Sequence, residues 1–369
     1  MELSLLMQAF SVSGRLVTIN PTGNGNVNDT FLAIFRNTFA EEQVILQRVN
    51  RKVFPQPEAI MHNLRQLTAH VHPKLETEVE HSDRVWQMPR IVKTRDGKDF
   101  FVDDAGDVWR VITKIASATA FDEAQGAEHA SECGAVLGHF HWLVSDLDPK
   151  TMFDPLPGFH ITPGYLARYD ETLRSEPLAN ERLNASMEAR RMAMFIEERR
   201  GFATTLQTAL DSGELKLRMM HGDPKVNNIM IDDFTGKGTA MIDLDTVSPG
   251  LIHYDFGDAL RSICNHEGEE AQNLSKVVFD LDLCSAFCKG YMSHARDFLT
   301  DADRRYLYDA IRLITFELGL RFFQDYLAGS VYFKINQPEQ NLNRARVQFR
   351  LCESIEARER PIRDLLARL

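Results

Sequence analysis

Short runs of alternating hydrophobic and polar residues dominate the first hundred positions. Leu16-Val17-Thr18-Ile19-Asn20, Phe31-Leu32-Ala33-Ile34-Phe35 and Gln43-Val44-Ile45-Leu46-Gln47-Arg48-Val49 have strand composition. The stretch Pro21–Thr30 between the first two runs is rich in Gly and Asn and predicts a turn. Pro57 then opens a different period. Ile60, Leu64, Leu67 and Val71 share one helical face, and Pro73 predicts the helix end. Arg90–Lys93, Phe100–Val102 and Trp109–Ile115 predict further strands around turns at Asp96-Gly97 and Ala105-Gly106. Residues 1–116 therefore read as a β-rich unit with one helix.

From Asp122 onward the period is helical, most clearly over Ala127–Leu143 and over the long stretch Glu181–Leu210, which ends at Ser212-Gly213. Leu215–Met219, Ile229–Ile231 and Thr239–Ile242 predict short strands, and helical patterning resumes from Phe256 to Leu369. Residues 117–369 read as a second, mostly helical unit. The expected class is α+β in two lobes, with a cleft between them as the natural place for a ligand.

Composition narrows the possible partners. The chain has 369 residues and a formal charge of −11. Nucleic acid and anionic membranes both require clustered positive charge, so neither is an expected partner. No apolar run approaches the ~18 residues of a spanning helix. Glu2 stands where a secretory leader needs basic residues. The five cysteines, Cys133, Cys264, Cys284, Cys288 and Cys352, are odd in number and scattered, unlike a disulfide framework. A reducing cytoplasm is the expected location. His70-Val71-His72 and His139-Phe140-His141 lack metal-ligand partners at usual spacing and read as packing residues.

The chemistry concentrates between the predicted short strands. His221-Gly222-Asp223-Pro224-Lys225-Val226-Asn227-Asn228 precedes a predicted hairpin whose second strand runs into Ile242-Asp243-Leu244-Asp245. An aspartate, four residues, an asparagine, and later an aspartate at a strand end is the pattern of kinase catalytic loops. One carboxylate orients an acceptor hydroxyl and takes its proton. An amide oxygen and a second carboxylate hold Mg²⁺ against the phosphates of ATP. Asp223, Asn228 and Asp243 fill those places. An isolated aspartate and asparagine at this spacing would read only as a turn; the ordered set, hairpin included, carries the assignment.

At these residues the chain resembles the aminoglycoside phosphotransferase/choline kinase superfamily, and within it the N-acetylhexosamine 1-kinases. The shared stretches are Gly23–Phe31, Val44–Asn50 with Val53-Phe54-Pro55, Ile242–Val247 with Pro249-Gly250, Tyr254–Asp258, and Arg321–Gly329. One departure is Gly222, where those sugar kinases carry Asn. The resemblance implies a bilobal protein-kinase-like fold, with an N-terminal nucleotide-binding lobe over 1–116 and a C-terminal catalytic and acceptor lobe over 117–369. It implies Asp223 as base, Asn228 and Asp243 as Mg²⁺ ligands, and His221 as a brace for the loop. Lys225 stands near the transferred phosphoryl group or is a solvated loop lysine. Asp255 or Asp258 anchors the loop backbone or simply caps a helix. Gly23, Asn24, Gly25 and Asn28 would cover the ATP phosphates; alone they read as a hairpin turn. Arg48 would reach the α/β-phosphates, with Glu58 as its nearest acidic candidate.

On the acceptor side, Glu317, Arg321 and Asp325 form a polar stripe on an otherwise apolar helix. The stripe is either a solvated salt-bridge ladder or a face toward a sugar. In the resembling sugar kinases an arginine and a tyrosine at this spacing contact the hexosamine; here they are Arg321 and Tyr332. Between Val331 and Leu369, eight Lys/Arg face five Asp/Glu. That basic tail argues against a polycationic aminoglycoside. Trp86, Trp109 and Trp142 are dispersed along the chain and suggest no cage for choline. A protein kinase is disfavoured, on the expectation that the chain carries neither an Asp-Phe-Gly metal motif nor an Ala-Pro-Glu segment. The expectation is therefore ATP-dependent phosphorylation of the anomeric hydroxyl of GlcNAc or GalNAc by a monomer or simple homodimer. The alternatives are a kinase of choline, an amino alcohol or an aminoglycoside, or a catalytically silent nucleotide-binding module.

Overall fold

The computed structural model describes residues 2–23, 27–78 and 84–369. A short helix α1 (Leu3–Leu6) leads into strands β1 (Arg15–Pro21), β2 (Asp29–Arg36) and β3 (Glu41–Val49), then helix α2 (Pro57–Glu78). Strands β4 (Ile91–Val92), β5 (Phe101–Val102) and β6 (Val108–Thr113) complete an antiparallel sheet of order β1-β2-β3-β6-β4, with β5 also on β6. The sheet has two apolar faces. Val44, Leu46, Trp109 and Val111 pack under Leu6, Met7 and Phe10. Val49 and Val108 face the other way, against Ile60 of α2. Two-residue periodicity makes this partition, and it later decides where Arg48 points.

Two sequence expectations are corrected here. Helix α2 does not stop at Pro73 but contains it and runs to Glu78. Pro73 removes one amide donor on the exposed side, while Leu75 joins the core and holds the last turn down. The stretch Glu181–Leu210 is not continuous. It forms α5 (Pro177–Ala185), α6 (Met187–Arg199), a 3₁₀ turn and α7 (Thr205–Asp211), preceded by α4 (Thr162–Ser175). The break before α6 is local chemistry: Ser186 is an N-cap whose side chain accepts from the Ala189 amide.

Strand β7 (Ala118–Ala120) and helix α3 (Ala127–Leu143) begin the helical part. Later come β8 (Arg218–Met220), β9 (Ile229–Asp232), β10 (Gly238–Met241) and β11 (Ser248–Gly250), in two small antiparallel sheets of order β10-β9-β7 and β11-β8. Helices α8 (Ile252–Ile263), α9 (Leu281–Ala295), α10 (Asp301–Arg305), α11 (Leu307–Ala328), α12 (Gln340–Ala357) and α13 (Glu359–Leu366) complete the chain. The largest core joins α2, α3, α8 and α9 to the small strands through Leu67, Val71, Leu137, Ile229, Phe256 and Phe287. All five cysteines are unpaired and buried. No helix among the described residues is long and apolar enough to cross a membrane.

Candidate active site

Strand β8 delivers the chain to His221-Gly222-Asp223, whose backbone is gripped from several elements. Asp255, in the first turn of α8, accepts from the His221 amide at 2.6 Å and from the Gly222 amide at 2.7 Å. Thr246 donates its hydroxyl to the His221 carbonyl at 2.8 Å. The His221 ring lies 3.0 Å from the Ile242 carbonyl. Asp255 is in turn bonded to His141 at 2.9 Å, and His141 to the Tyr291 hydroxyl at 2.9 Å. Helices α3 and α9 can bring those two side chains together because they cross on glycines. A Cβ on Gly138 would stand 2.4 Å from the Tyr291 carbonyl, and one on Gly290 1.8 Å from that of Ser131. Burial alone would raise the Asp255 pKa; His141, with the loop amides, holds it below the ordinary carboxylate range. Asp258 does not grip the loop and pairs with Arg261 at 2.8 Å instead. The expectation that no Asp-Phe-Gly is present is corrected by Asp255-Phe256-Gly257; the tripeptide spells a protein-kinase metal motif, yet it lies inside α8 with both carboxylate oxygens engaged. Gly222 has φ +89°, and a Cβ there would stand 2.9 Å from both Cβ and O of Thr246. An Asn at this position therefore needs Thr246 to move.

Asp223 receives Lys225 Nζ on Oδ2 at 2.8 Å. Asn228 donates its amide nitrogen to the Asp223 carbonyl at 2.8 Å and to Oδ2 at 3.1 Å. Burial would raise the Asp223 pKa, but the adjacent ammonium outweighs it and keeps the group ionised at neutral pH. The hairpin β9–β10 sets Ile229 opposite Met241, and the Ile242 amide donates to the Asn228 carbonyl at 2.9 Å. Asn228 and Asp243 are thereby neighbours across the hairpin. Asp243 sits in the left-handed region (φ +61°, ψ +56°), a conformation aspartate tolerates better than most residues. Among the described residues its carboxylate makes no hydrogen bond or ion pair. The surrounding protein, then Asp245 and Asp223, push its pKa up to about 7. An unpaired carboxylate short of positive charge, beside an amide oxygen, fits a hard divalent cation. No group of three or more His, Cys, Asp or Glu side chains among the described residues could hold a metal by itself. Phosphate oxygens would complete the shell.

The sheet side of the cleft differs from expectation. Arg48 lies on the same face as Val44 and Leu46, turned away from the catalytic segment. It is engaged there with Asp29 and, at 3.1 Å, with Asp107, over the Trp109 ring. Its acidic partners are these two residues and not Glu58. The inward cation is Arg110 on β6, opposite Gln47, which accepts from it at 2.7 Å. Arg110 forms a buried ion pair with Asp245 at 2.5 Å, each side chain 3% exposed. Asn28 donates to Asp245 at 2.7 Å and accepts from the Asn50 amide at 3.0 Å. Asn28 thus anchors the end of the glycine turn to the Asp243–Asp245 segment. Gly23 has φ +75° with open space around it. Asn24 and Gly25 lie outside the described residues.

A cavity of about 440 Å³ opens beside Asp223, lined among others by Lys225, His160, Glu317, Arg321 and Tyr332. The polar stripe of α11 is not a salt-bridge ladder. Glu317 is buried and accepts from Thr162 at 2.6 Å, with His160 at 3.0 Å. Asp325 is buried and accepts from the amides of Val331, Tyr332 and Phe333. Arg321 alone keeps its guanidinium free. Among the described residues it has no acidic partner, and it lies 5.1–5.6 Å from the ring centres of Tyr165, Phe159 and Phe333.

A model of the phosphotransferase enzyme family (APH) matches residues 18–276, the span that holds the glycine turn, the catalytic loop and the hairpin. The chain belongs to that family. Solved structures of similar fold include a microcompartment-associated aminopropanol kinase, at TM-score 0.64 and 17% identity over 98% of each chain. A choline kinase from Cryptosporidium parvum Iowa II matches at TM-score 0.61 and 11% identity over 99% of each chain. A spectinomycin phosphotransferase solved with ADP and spectinomycin matches at TM-score 0.53 and 12% identity over 97% of each chain. The mixed α+β architecture of this phosphotransferase is theirs.

Several side chains of this phosphotransferase site escaped the sequence reading. Arg110, Phe159, His160 and Tyr165 stand in no motif. The alternation of β6 was the available signal for Arg110, whose polar head falls on the Val108 and Ile112 face. The three tryptophans are not wholly dispersed either. Trp86 and Trp142 stack on His139 at 3.8 and 5.7 Å, away from the cavity.

Proposed function

We propose that the protein transfers the γ-phosphoryl group of ATP to the anomeric hydroxyl of an N-acetylhexosamine. The hydroxyl oxygen bonds to γ-phosphorus as the bond to the β-bridging oxygen breaks; ADP leaves, and Asp223 accepts the hydroxyl proton. Asn228 and Asp243 would hold Mg²⁺, which would supply positive charge to offset that of the phosphates. Lys225, already on Asp223, supplies positive charge beside the transferring group. In this reading residues 1–116 bind the nucleotide from above and 117–369 carry the base and the acceptor, in the cytoplasm. An intact base with both metal ligands speaks against a silent nucleotide-binding module.

The observation that carries the acceptor assignment is Arg321. It is a cation without an ion-pair partner among the described residues, in the same cavity as Asp223 and beside three aromatic rings. It offers charged donors to hydroxyl and acetamido oxygens, and the rings offer faces to sugar C–H groups. A cationic acceptor would meet like charge there. A second reading, a small amino alcohol, draws support from Asp122 and Glu123, exposed on the cavity wall. ATP consumption against a panel of free hexosamines, choline and amino alcohols separates the two, with phosphate position read by NMR. Turnover of GlcNAc or GalNAc to the 1-phosphate supports the first; turnover of amino alcohols alone overturns it.

A further inference from the structure

His160 joins the acceptor cavity to the catalytic loop. It is a non-glycine residue held at φ +59°, a conformation that persists only where the surroundings dictate it. Its ring is buried, 3.9 Å from that of Phe159 and 5.4 Å from that of Tyr254. Both ring nitrogens face acceptors. Nδ1 lies 3.0 Å from Glu317 Oε1, and Nε2 lies 2.8 Å from the Gly222 carbonyl. A neutral imidazole carries one N–H, so it would set a lone pair against one of these oxygens. Only the doubly protonated ring satisfies both. The other Glu317 oxygen takes the Thr162 hydroxyl at 2.6 Å, which fixes the carboxylate in place.

The Gly222 carbonyl belongs to the planar peptide that also carries the Asp223 amide. Asp255 grips this loop through the preceding amides, from below. His160 grips it from the acceptor side, and its other end rests on α11 one turn before Arg321. We propose that His160 is a positioning residue for Asp223, an imidazolium that ties the acceptor helix to the peptide bearing the base. This rests on the reading of Asp223 as base. The groups facing His160 agree with a held proton. Glu317 comes from α11, Tyr254 and Asp258 from α8, Thr162 from α4, and Asp223 follows Gly222 on the loop. Arg321, a turn beyond Glu317, shares the cavity and is the opposing charge. Burial would lower the His160 pKa, but the Glu317 contact, with Asp258 and the Gly222 carbonyl, outweighs it and raises the value. Loss of the proton breaks one of the two contacts and frees the Gly222 carbonyl or strands Glu317.

The test uses the full chain and two readouts. In ¹³C-histidine NMR, the His160 signal is assigned by its loss in His160→Gln. It should stay protonated above the ordinary histidine range, about pH 6.5. In Glu317→Gln it should titrate at least about one unit lower. The second readout is slow ATP hydrolysis to water, which needs no particular acceptor. His160→Gln should lower its kcat about ten- to a hundredfold, with KM for ATP within about twofold. The alkaline limb of kcat should move to lower pH in Glu317→Gln, a shift that a merely structural role does not produce. Asp223→Asn is assayed alongside. If Asp223→Asn keeps full turnover, the base reading fails. If Asp223→Asn is inactive while Glu317→Gln moves neither the His160 titration nor the kcat limb, the positioning role is overturned. A His160→Gln variant with undiminished kcat overturns it as well.

Discussion

Arg110 and Asp245 form a buried ion pair that ties the six-stranded sheet to the segment carrying Asp243. The carboxylate accepts from Arg110 at 2.5 Å and from Asn28 at 2.7 Å. Arg110 is steadied by Gln47 on the neighbouring strand. Removing two charges from water is costly, so such a pair adds little net stability; breaking it leaves one charge buried and alone. Its evident consequence here is geometric: it ties β6, and through Asn28 the start of β2, to the segment that follows the hairpin.

Arg110→Ala should therefore destabilise the fold by about 3–5 kcal/mol, because Asp245 keeps its burial and loses its cation. Denaturant titration measures this directly. The paired replacement Arg110→Met with Asp245→Leu should recover most of the loss, since no charge is then stranded. It should still raise KM for ATP, because Asn28 loses its acceptor. A loss below about 1 kcal/mol for Arg110→Ala would mean that the pair behaves like an exposed one.

Asp223→Asn tests the base. The substitution keeps size and one acceptor oxygen for Lys225 and Asn228 while removing the carboxylate that takes the proton, a change of roughly 10²–10⁴-fold in turnover. Nucleotide binding should survive, because the residues proposed to hold nucleotide and metal, Asn28, Asn228 and Asp243, keep their own side chains. Near-full kcat in a folded Asp223→Asn protein would remove this residue from the mechanism.

Asp243 makes a prediction with a definite sign. Its folded pKa of about 7 lies above the ordinary 3.8. Between those values the folded chain binds the extra proton, so this group's contribution to stability falls as pH rises through the window. Asp243→Asn removes the penalty and keeps a residue that tolerates the left-handed backbone. In EDTA the variant should melt higher than the parent at about pH 8, with the gap closing toward about pH 5. Mg²⁺ with ADP should raise the melting temperature of the parent and much less that of the variant. A gap that widens on acidification would contradict the environment assigned to Asp243.

How far the site was legible in the sequence depends on how local each part is. Asp223 and Asn228 lie five positions apart on one loop, and Asp243 follows on the next hairpin, so short-range spacing was enough to bring them together. Arg48 shows the limit. Alternation gave β3 two faces, but nothing in the strand says which one turns to the cleft. That choice is made by Leu6, Met7 and Phe10, which cover the Val44, Leu46 and Arg48 face. Arg110 then takes the inward position through a pairing with Asp245 that no local pattern encodes. The stripe on α11 failed for a related reason. Glu317 and Asp325 were equally spaced with Arg321, yet their partners, His160, Thr162 and the 331–333 amides, come from loops and from another helix.

Arg321 is where the proposed acceptor pocket can be tested. If Arg321 donates to sugar oxygens, Arg321→Ala leaves those oxygens without a charged donor, a loss of roughly 1.5–3 kcal/mol. That corresponds to about 10- to 150-fold in apparent affinity for the hexosamine. KM for ATP should hold, because the residues proposed to hold metal and nucleotide, Asn228, Asp243 and Asn28, are not on α11. The variant should fold well, since Arg321 has no ion pair to lose among the described residues and its guanidinium lies beside ring faces. Tyr332→Phe should cost less, about 0.5–1.5 kcal/mol. Its hydroxyl offers one neutral bond, and the side chain is 58% exposed. Choline and small amino alcohols provide the control. Removing a cation from the cavity should leave their turnover unchanged or improve it, while hexosamine turnover falls. Equal losses for both acceptor classes, or none for either, would take α11 out of the acceptor site.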